Sequence, residues 1–169
     1  MARTGNNKNG RLVERYFQLI SKPDKGYEAV AVQLMNLWQI DGVLEITGMK
    51  ESTEVYKGQL AIHTAYMDKF SGGKGKPGVK GSNINHFPHV ETRIIRIEEE
   101  EEQVNAFWSI SIKTSKEEQL NIQGIHSFNF KKGKIKSLSI NVSSNRFQLL
   151  LKELNYINFS IKELSKFIT

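Results

Sequence analysis

Cysteine is absent from this chain of 169 residues, and proline is rare. Without cysteine the protein has no disulfide framework, no thiolate nucleophile and no cysteine-ligated metal site. The sequence also lacks a run of about 18 consecutive apolar residues, the length that a membrane-spanning helix needs, and residues 1–10 have no apolar segment of the kind found in secretory signals. We therefore expect a soluble, cytoplasmic protein that does not enter a membrane.

The formal net charge is +6, and a net positive field attracts nucleic acids and other anions. Lysines cluster in the loop at Lys74, Lys76 and Lys80 and again in residues 131–136, but a run of five glutamates at residues 98–102 separates the two clusters. This distribution favours an ordinary solvated surface, so nucleic acid is not the expected partner. Binding of an anion through the lysine-rich loop is the alternative.

Three segments near the N-terminus carry apolar residues at helical spacing, over about residues 10–21, 24–40 and 58–70. Two short β-type runs, at residues 43–47 and 53–57, lie between the second and third segments and predict a small hairpin. A loop rich in glycine and lysine follows at residues 71–81, and it does not match a phosphate-binding loop.

Four alternating runs then predict consecutive antiparallel strands at residues 90–98, 104–113, 120–130 and 135–142. The alternation breaks between Ile94 and Ile95, which indicates a β-bulge, and Gly124 lies inside the third run. Both features predict a bent sheet. Beyond the strands, residues 144–169 show helical spacing with an apolar face that can cover the sheet or a partner subunit. We therefore divide the chain into a disordered tail (1–10), an α+β domain (11–143) and a C-terminal helical extension (144–169).

Several rings stand out on the predicted apolar faces. A buried imidazole such as His126 needs a partner for each nitrogen, so it is either a hydrogen-bonded core group or a proton-transfer residue. The aromatic residues Tyr16, Trp38, Tyr66 and Trp108 are either core or the wall of a ligand cavity. His86 and His89 lie in an extended segment with a proline between them and have no matched acidic partners, so no metal or cofactor is predicted.

The chain resembles the nuclear transport factor 2-like superfamily, and within it the SnoaL-like branch of polyketide cyclases, ketosteroid isomerases and scytalone dehydratases. The resemblance runs from Leu12 to Val142 and is carried by three segments, WQIDGVLE from Trp38, YKGQLAI from Tyr56 and FNFKKGKI from Phe128. It implies a strongly curved antiparallel sheet wrapped on three N-terminal helices, a cystatin-like cone with a ligand cavity inside, and frequent dimers.

The same resemblance suggests roles for individual residues. Tyr16 is similar to the isomerase tyrosine that donates to a developing enolate oxygen, and His126 stands where that enzyme has its second, acidic donor. Ile46 occupies the place of the isomerase's catalytic aspartate, which is a departure from the family pattern. His86 is similar to a catalytic histidine of the dehydratases, where Asp41 would have to orient the imidazole.

These observations predict a domain that binds a small, apolar or carbonyl-containing molecule inside the cone and forms a homodimer. If the protein is an enzyme, we expect metal-free proton abstraction or elimination next to a carbonyl, with His86 or His126 as the base and Tyr16 as the oxyanion donor. The alternative is a non-catalytic protein-interaction or dimerisation module with a filled cone. The predicted pocket residues are Trp38, Asp41, Tyr66, Trp108, Phe128 and Ile140.

Overall fold

The computed structural model describes residues 8–20, 26–48, 52–71, 90–113 and 119–143. This part of the chain folds into three helices and one six-stranded sheet, which confirms the predicted α+β class. The elements, in chain order, are α1 Lys8–Ile20, α2 Tyr27–Met35, β1 Trp38–Thr47, β2 Glu54–Lys57, α3 Gln59–Ser71, β3 Val90–Glu100, β4 Gln103–Lys113, β5 Gln119–Lys131 and β6 Lys134–Val142.

The strands lie in the order β2-β1-β6-β5-β4-β3, and the sheet is open at β2 and β3. Strands β3 to β6 form the predicted antiparallel meander, and β1 and β2 form the predicted hairpin. The sheet differs from the expected all-antiparallel one at a single neighbour pair, because β1 runs parallel to β6, with Leu44 opposite Leu138. A parallel pair needs a long crossover connection, which α3 and the first strands of the meander supply.

Bulges bend this sheet. The register between β3 and β4 shifts between Ile94 and Arg96, where the sequence alternation breaks, so the predicted bulge is confirmed. A second shift lies between Asn129 and Phe130, at the β5–β6 pairing. Since a bulge bends its strand and increases the local twist, the meander curves around the helices that lie against one of its faces.

Two predicted boundaries were wrong. Helix α1 begins at Lys8, so residues 8–10 belong to the helix and not to a tail. The second helix ends at Met35, and Trp38 is the first residue of β1, although its spacing from Leu34 fits a helix. The Ile135 N–H donates to the Leu37 carbonyl at 2.7 Å. Because this carbonyl already pairs with β6, the helix does not continue through residue 38.

The helices cover one face of the sheet, with α1 packed on β3 and β4, and α3 packed on β1 and β2. In β4 and β5 the described residues alternate, and every second one faces these helices and is buried, as the alternation predicts, while β6 buries four residues on the same face. Burying one large apolar side chain contributes about 1.5–3 kcal/mol, so this face supplies much of the driving force for folding. The buried apolar residues of β4, β5 and β6 are Val104, Ala106, Trp108, Ile110, Ile122, Phe128, Phe130, Ile135, Leu138, Ile140 and Val142.

Some predictions lie outside the described residues. These are the C-terminal extension 144–169, His86, and the glycine- and lysine-rich loop except for Ser71, which is the last residue of α3. Among the helices that the structure describes, none has the length and apolar character needed to cross a membrane.

Candidate functional site

A cluster of aromatic rings lies between the helices and the inner face of the sheet. Helices α1 and α3 each contribute a tyrosine, and the strands contribute two tryptophans, a histidine and a phenylalanine. None of these side chains is more than 2% exposed. We call this set the ring cluster, and its members are Tyr16, Trp38, Tyr66, Trp108, His126 and Phe128.

The two tyrosines form a hydroxyl pair. Tyr16 Oη and Tyr66 Oη are 2.6 Å apart, which is a short hydrogen bond between two buried phenols. Burial raises the pKa of Tyr16 above its usual range, although the hydrogen bond with Tyr66 lowers it. Burial also raises the pKa of Tyr66, and Tyr16 raises it further. Both hydroxyls therefore stay protonated near neutrality. Within the pair one hydroxyl donates and the other accepts, and the accepting hydroxyl can donate its own proton to a third group.

The Trp38 indole contacts the hydroxyl pair. Its N–H acts as a donor to Tyr66 and lowers the pKa of that hydroxyl, against the larger effect of burial, which raises it. The contact is looser than a well-formed hydrogen bond. The indole lies over Gly42, where a Cβ atom would approach Trp38 Cε3 to 2.6 Å. Glycine at this position therefore gives the ring the space to reach inward.

The second polar contact joins neighbouring strands. Trp108 Nε1 donates to His126 Nδ1 at 2.7 Å, and both side chains are buried. An indole N–H can only donate, so Nδ1 must be unprotonated, and a neutral imidazole then carries its proton on Nε2. The indole crosses the inner side of Gly124, because a Cβ atom at Gly124 would overlap Trp108 Cζ2 and would lie 2.6 Å from Cη2.

Other rings surround His126. The ring centroid of Phe17 is 5.0 Å from that of His126, and those of Tyr16 and Phe128 are each 6.1 Å away. A charged imidazolium is costly in such an apolar environment, and protonation of Nδ1 would break the bond from Trp108. The arrangement suits His126 as a hydrogen-bond donor through Nε2–H better than as a general base.

The structure brings most of the predicted site residues together. All members of the ring cluster were predicted, and the predicted pocket residue Ile140 is buried opposite His126 on β6. Asp41 does not join them. Its carboxylate is exposed and pairs with Lys136 at 2.5 Å, and the hydrogen bond from Lys136 lowers the pKa of Asp41. The predicted base His86 lies outside the described residues.

Three residues of the site were not predicted as such. Phe17 lies against His126, and Gly42 and Gly124 provide the space for the two indoles. A signal for Gly124 was present in the sequence, because this glycine occupies an inward-facing position two residues before His126. A missing side chain on an otherwise apolar face indicates that another group fills the space.

The charged turns lie beside each other at one end of the sheet. The Phe130 N–H donates to the Glu102 carbonyl at 2.8 Å, so the acidic β3–β4 turn adjoins the end of β5 that leads into the lysine-rich β5–β6 turn. The Asn9 amide of α1 donates to the Glu101 carbonyl at 3.3 Å. The acidic side chains offset the field of the lysines there. Within the described part of the chain, no group of three or more histidine, aspartate or glutamate side chains is placed to hold a metal ion.

Comparison with known proteins finds similarity at the level of structure. No protein-family model matches the chain. No curated protein matches it by sequence. Among solved structures, a protein from Shewanella putrefaciens CN-32 described as a SnoaL-like polyketide cyclase is 10% identical, with a TM-score of 0.57 over 90% of this chain and 99% of that chain.

Two further solved structures are similar to this chain in fold. An NTF2-like protein of unknown function from Burkholderia pseudomallei is 10% identical, with a TM-score of 0.53 over 96% of this chain and 98% of that chain. A protein from Bacillus subtilis described as an isomerase is 14% identical, with a TM-score of 0.57 over 90% of this chain and 95% of that chain. At these identities the likeness concerns the fold alone, and this is the NTF2-like fold.

Proposed function

We propose that this domain, which has the nuclear transport factor 2-like fold, binds a small and mostly apolar molecule through a carbonyl oxygen at the ring cluster. Tyr16 Oη and His126 Nε2 each donate a hydrogen bond to that oxygen. The observation that carries the proposal is the Trp108 Nε1 donation to His126 Nδ1, because it directs the proton of the neutral imidazole to Nε2.

The cost of burying polar groups supports a role beyond packing. Two phenol hydroxyls, two indole N–H groups and one imidazole lie in an otherwise apolar core, where removing a polar group from water is costly and each group needs a hydrogen-bond partner. Phenylalanine and leucine would fill the same space without this cost. Polar groups that converge inside an apolar enclosure are typical of ligand sites, in which a few of them orient the bound molecule.

The chemistry that suits these donors is stabilisation of negative charge on oxygen. When a proton is removed next to a carbonyl, charge develops on the carbonyl oxygen, and one positioned donor accelerates such a step by roughly 100- to 1000-fold. Tyr16 suits this role because its raised pKa keeps it protonated. We therefore propose a metal-free proton abstraction or elimination of the isomerase, cyclase or dehydratase type. The family resemblance assigns the base to His86, since His126 acts as a donor in this arrangement.

The packing sets a condition on ligand entry. Because the ring cluster is at most 2% exposed, a ligand reaches Tyr16 only when the surrounding side chains move apart. We expect slow binding of large molecules and faster binding of single-ring molecules. A single-ring phenol is therefore the best first probe, since its phenolate mimics an enolate oxygen in charge and shape.

Titration with 4-nitrophenol tests the proposal, because the absorbance of this probe reports its ionisation. We expect the protein to bind the phenolate form, and Tyr16→Phe to weaken binding by roughly 10- to 100-fold, the effect of losing one hydrogen bond to a charged oxygen. Tyr56→Phe is the matched control, since it removes the same atom from a tyrosine that bonds to Glu54 away from the cluster. Equal affinity in both variants would refute the assignment of Tyr16.

One observation favours a second candidate, a non-catalytic interaction module with a filled cone. The Tyr16–Tyr66 and Trp108–His126 contacts satisfy polar atoms inside the cluster, and the rings are enclosed. Native mass spectrometry of the purified protein separates the two candidates. A bound small molecule that disappears in Tyr16→Phe supports a ligand site. A ligand-free protein that also fails to bind 4-nitrophenol supports the module.

A further inference from the structure

The face of the sheet that points away from the helices carries an apolar groove of about 360 Å³. Its apolar lining residues are Ile95, Phe107, Trp108, Ile125 and Val142, and it extends to Ser143 at the end of β6. Phe107 and Ile125 lie opposite each other on β4 and β5, and their sequence neighbours point inward, so both side chains lie on the outer face. We call this feature the outer groove.

The outer groove is an apolar patch on an otherwise polar face. Ile95 is 43% exposed, and Phe107 and Ile125 are partly exposed. The neighbouring outward positions in the same strands are polar, such as Ser109 and Ser127. The Arg96 guanidinium lies 4.0 Å from the centre of the Phe107 ring, so a positive charge lies at the edge of the groove. An exposed apolar patch with a polar rim indicates a surface that another element covers.

The path of the chain identifies an occupant. Ser143 lines the outer groove, and its N–H donates to the Gln123 carbonyl at 3.0 Å, so the chain leaves β6 at the wall of the groove. The sequence that follows has apolar residues at the spacing i, i+3, i+4 and i+7, which forms one face of a helix. These residues are Phe147, Leu150, Leu151 and Leu154.

We propose that residues 144–154 form an amphipathic helix that docks in the outer groove of its own chain. Phe147 is four residues beyond Ser143, so even an extended connection lets it reach about 14 Å, and a helical one keeps it nearer. This short tether gives the segment an effective concentration on the order of millimolar at the groove. A second copy of the chain at micromolar concentration competes poorly for the same surface.

The proposal adds a helix to the outer face of the sheet. The groove shares Trp108 with the ring cluster, but docking of the helix requires no ligand at that cluster, so the proposal does not depend on the proposed function. It also requires that the expected homodimer, which stays a prediction, uses a different surface. The occupant is therefore a segment of the same chain, and a second copy in the groove would overturn the proposal.

Disulfide trapping tests this directly, because the chain has no cysteine of its own. We pair Ile125→Cys with Phe147→Cys, Leu150→Cys or Leu154→Cys in the full chain, and we oxidise each variant at low micromolar concentration. A disulfide forms only when the two Cβ atoms approach to about 4 Å. The matched control pairs Ile125→Cys with Lys152→Cys, which lies on the opposite side of the predicted helix.

We expect at least one apolar-face pair to form an intramolecular disulfide several-fold faster than the Lys152→Cys control, as judged by non-reducing gel mobility and intact mass. Far-UV circular dichroism of the reduced variants checks that they are folded. A disulfide between two chains would identify a second copy as the occupant and reject the proposal. Equal rates for the apolar-face and control pairs would show that the segment does not dock, and this result would also reject the proposal.

Discussion

Trp108 and His126 lie on neighbouring strands, and the indole N–H of Trp108 donates to Nδ1 of His126 at 2.7 Å inside the core. The contact depends on Gly124, since the indole occupies the space that any larger residue at that position would fill. One hydrogen bond thus determines which nitrogen of His126 carries the proton, and with it the role that this histidine can play.

We predict that Trp108→Phe lowers the free energy of unfolding by about 1–3 kcal/mol beyond the loss of packing, because Nδ1 of His126 is left buried without its donor. His126→Leu in the same background should recover part of that loss, since an apolar pair leaves no unsatisfied nitrogen. Urea denaturation of the wild type, both single variants and the double variant gives the coupling energy. A coupling energy near zero would show that the hydrogen bond does not form.

Gly124→Ala should destabilise the protein by about 1–3 kcal/mol, because the added methyl group overlaps the Trp108 ring in a packed core. Trp108→Phe in the same chain should relieve the overlap, so the double variant should lose less than the sum of the single variants. Ser109→Ala, which changes the residue next to Trp108 on the outer face, is the control. Thermal denaturation measures all four proteins, and strictly additive losses would contradict the predicted overlap.

The tyrosine pair predicts sensitivity to alkaline pH. Below pH 10.0, the ordinary pKa of tyrosine, folded and unfolded chains both keep the Tyr16 and Tyr66 protons. Above it the unfolded chain releases them while the folded chain retains them, because burial raises both pKa values. Stability therefore falls as the pH rises above 10.0, by about 1.4 kcal/mol per pH unit for each tyrosine.

Tyr16→Phe should reduce the loss of stability per pH unit by about 1.4 kcal/mol, the contribution of one tyrosine. Urea denaturation at several pH values above 10 measures this loss. Val13→Ala, a nearby core truncation on α1, is the control, since it should lower stability at every pH without changing the slope. An unchanged slope in Tyr16→Phe would mean that Tyr16 ionises as easily in the folded chain as in the unfolded one.

Asp41→Asn should leave 4-nitrophenol binding unchanged, because Asp41 is exposed and pairs with Lys136 away from the ring cluster. The melting temperature should also change little, since exposed ion pairs contribute weakly to stability. Lys136→Gln is the companion variant and should behave in the same way. Weaker probe binding in Asp41→Asn alone would place this carboxylate at the ligand site after all.

Much of the fold could be predicted from local sequence. The meander, its bulge at Ile94 and its buried face follow from alternation with a period of two, which reports burial directly. The parallel pairing of β1 with β6 could not be predicted in this way, because the two strands lie about ninety residues apart and their pairing leaves no local pattern. The same distant pairing placed Trp38 in a strand instead of a helix.

The site was predictable as a set of residues but not as an arrangement. Tyr16, Tyr66 and His126 were identifiable because polar rings on apolar faces need partners, and the structure supplies a partner for each. Asp41 was assigned to the pocket by resemblance, yet the strand that carries it turns its side chain to solvent. Which groups meet depends on register and on the space beside glycine, neither of which can be inferred from spacing alone.

The sequence by itself determined the α+β class, the bent meander and the identity of the buried rings. This is because hydrophobic periodicity indicates which face of each helix or strand is buried. Only the tertiary structure decided that Trp108 would donate to His126 and make that imidazole a donor. The difference is physical. Burial is a property of each residue along the chain, whereas the position of a proton depends on which two side chains the folded sheet brings within 3 Å of each other.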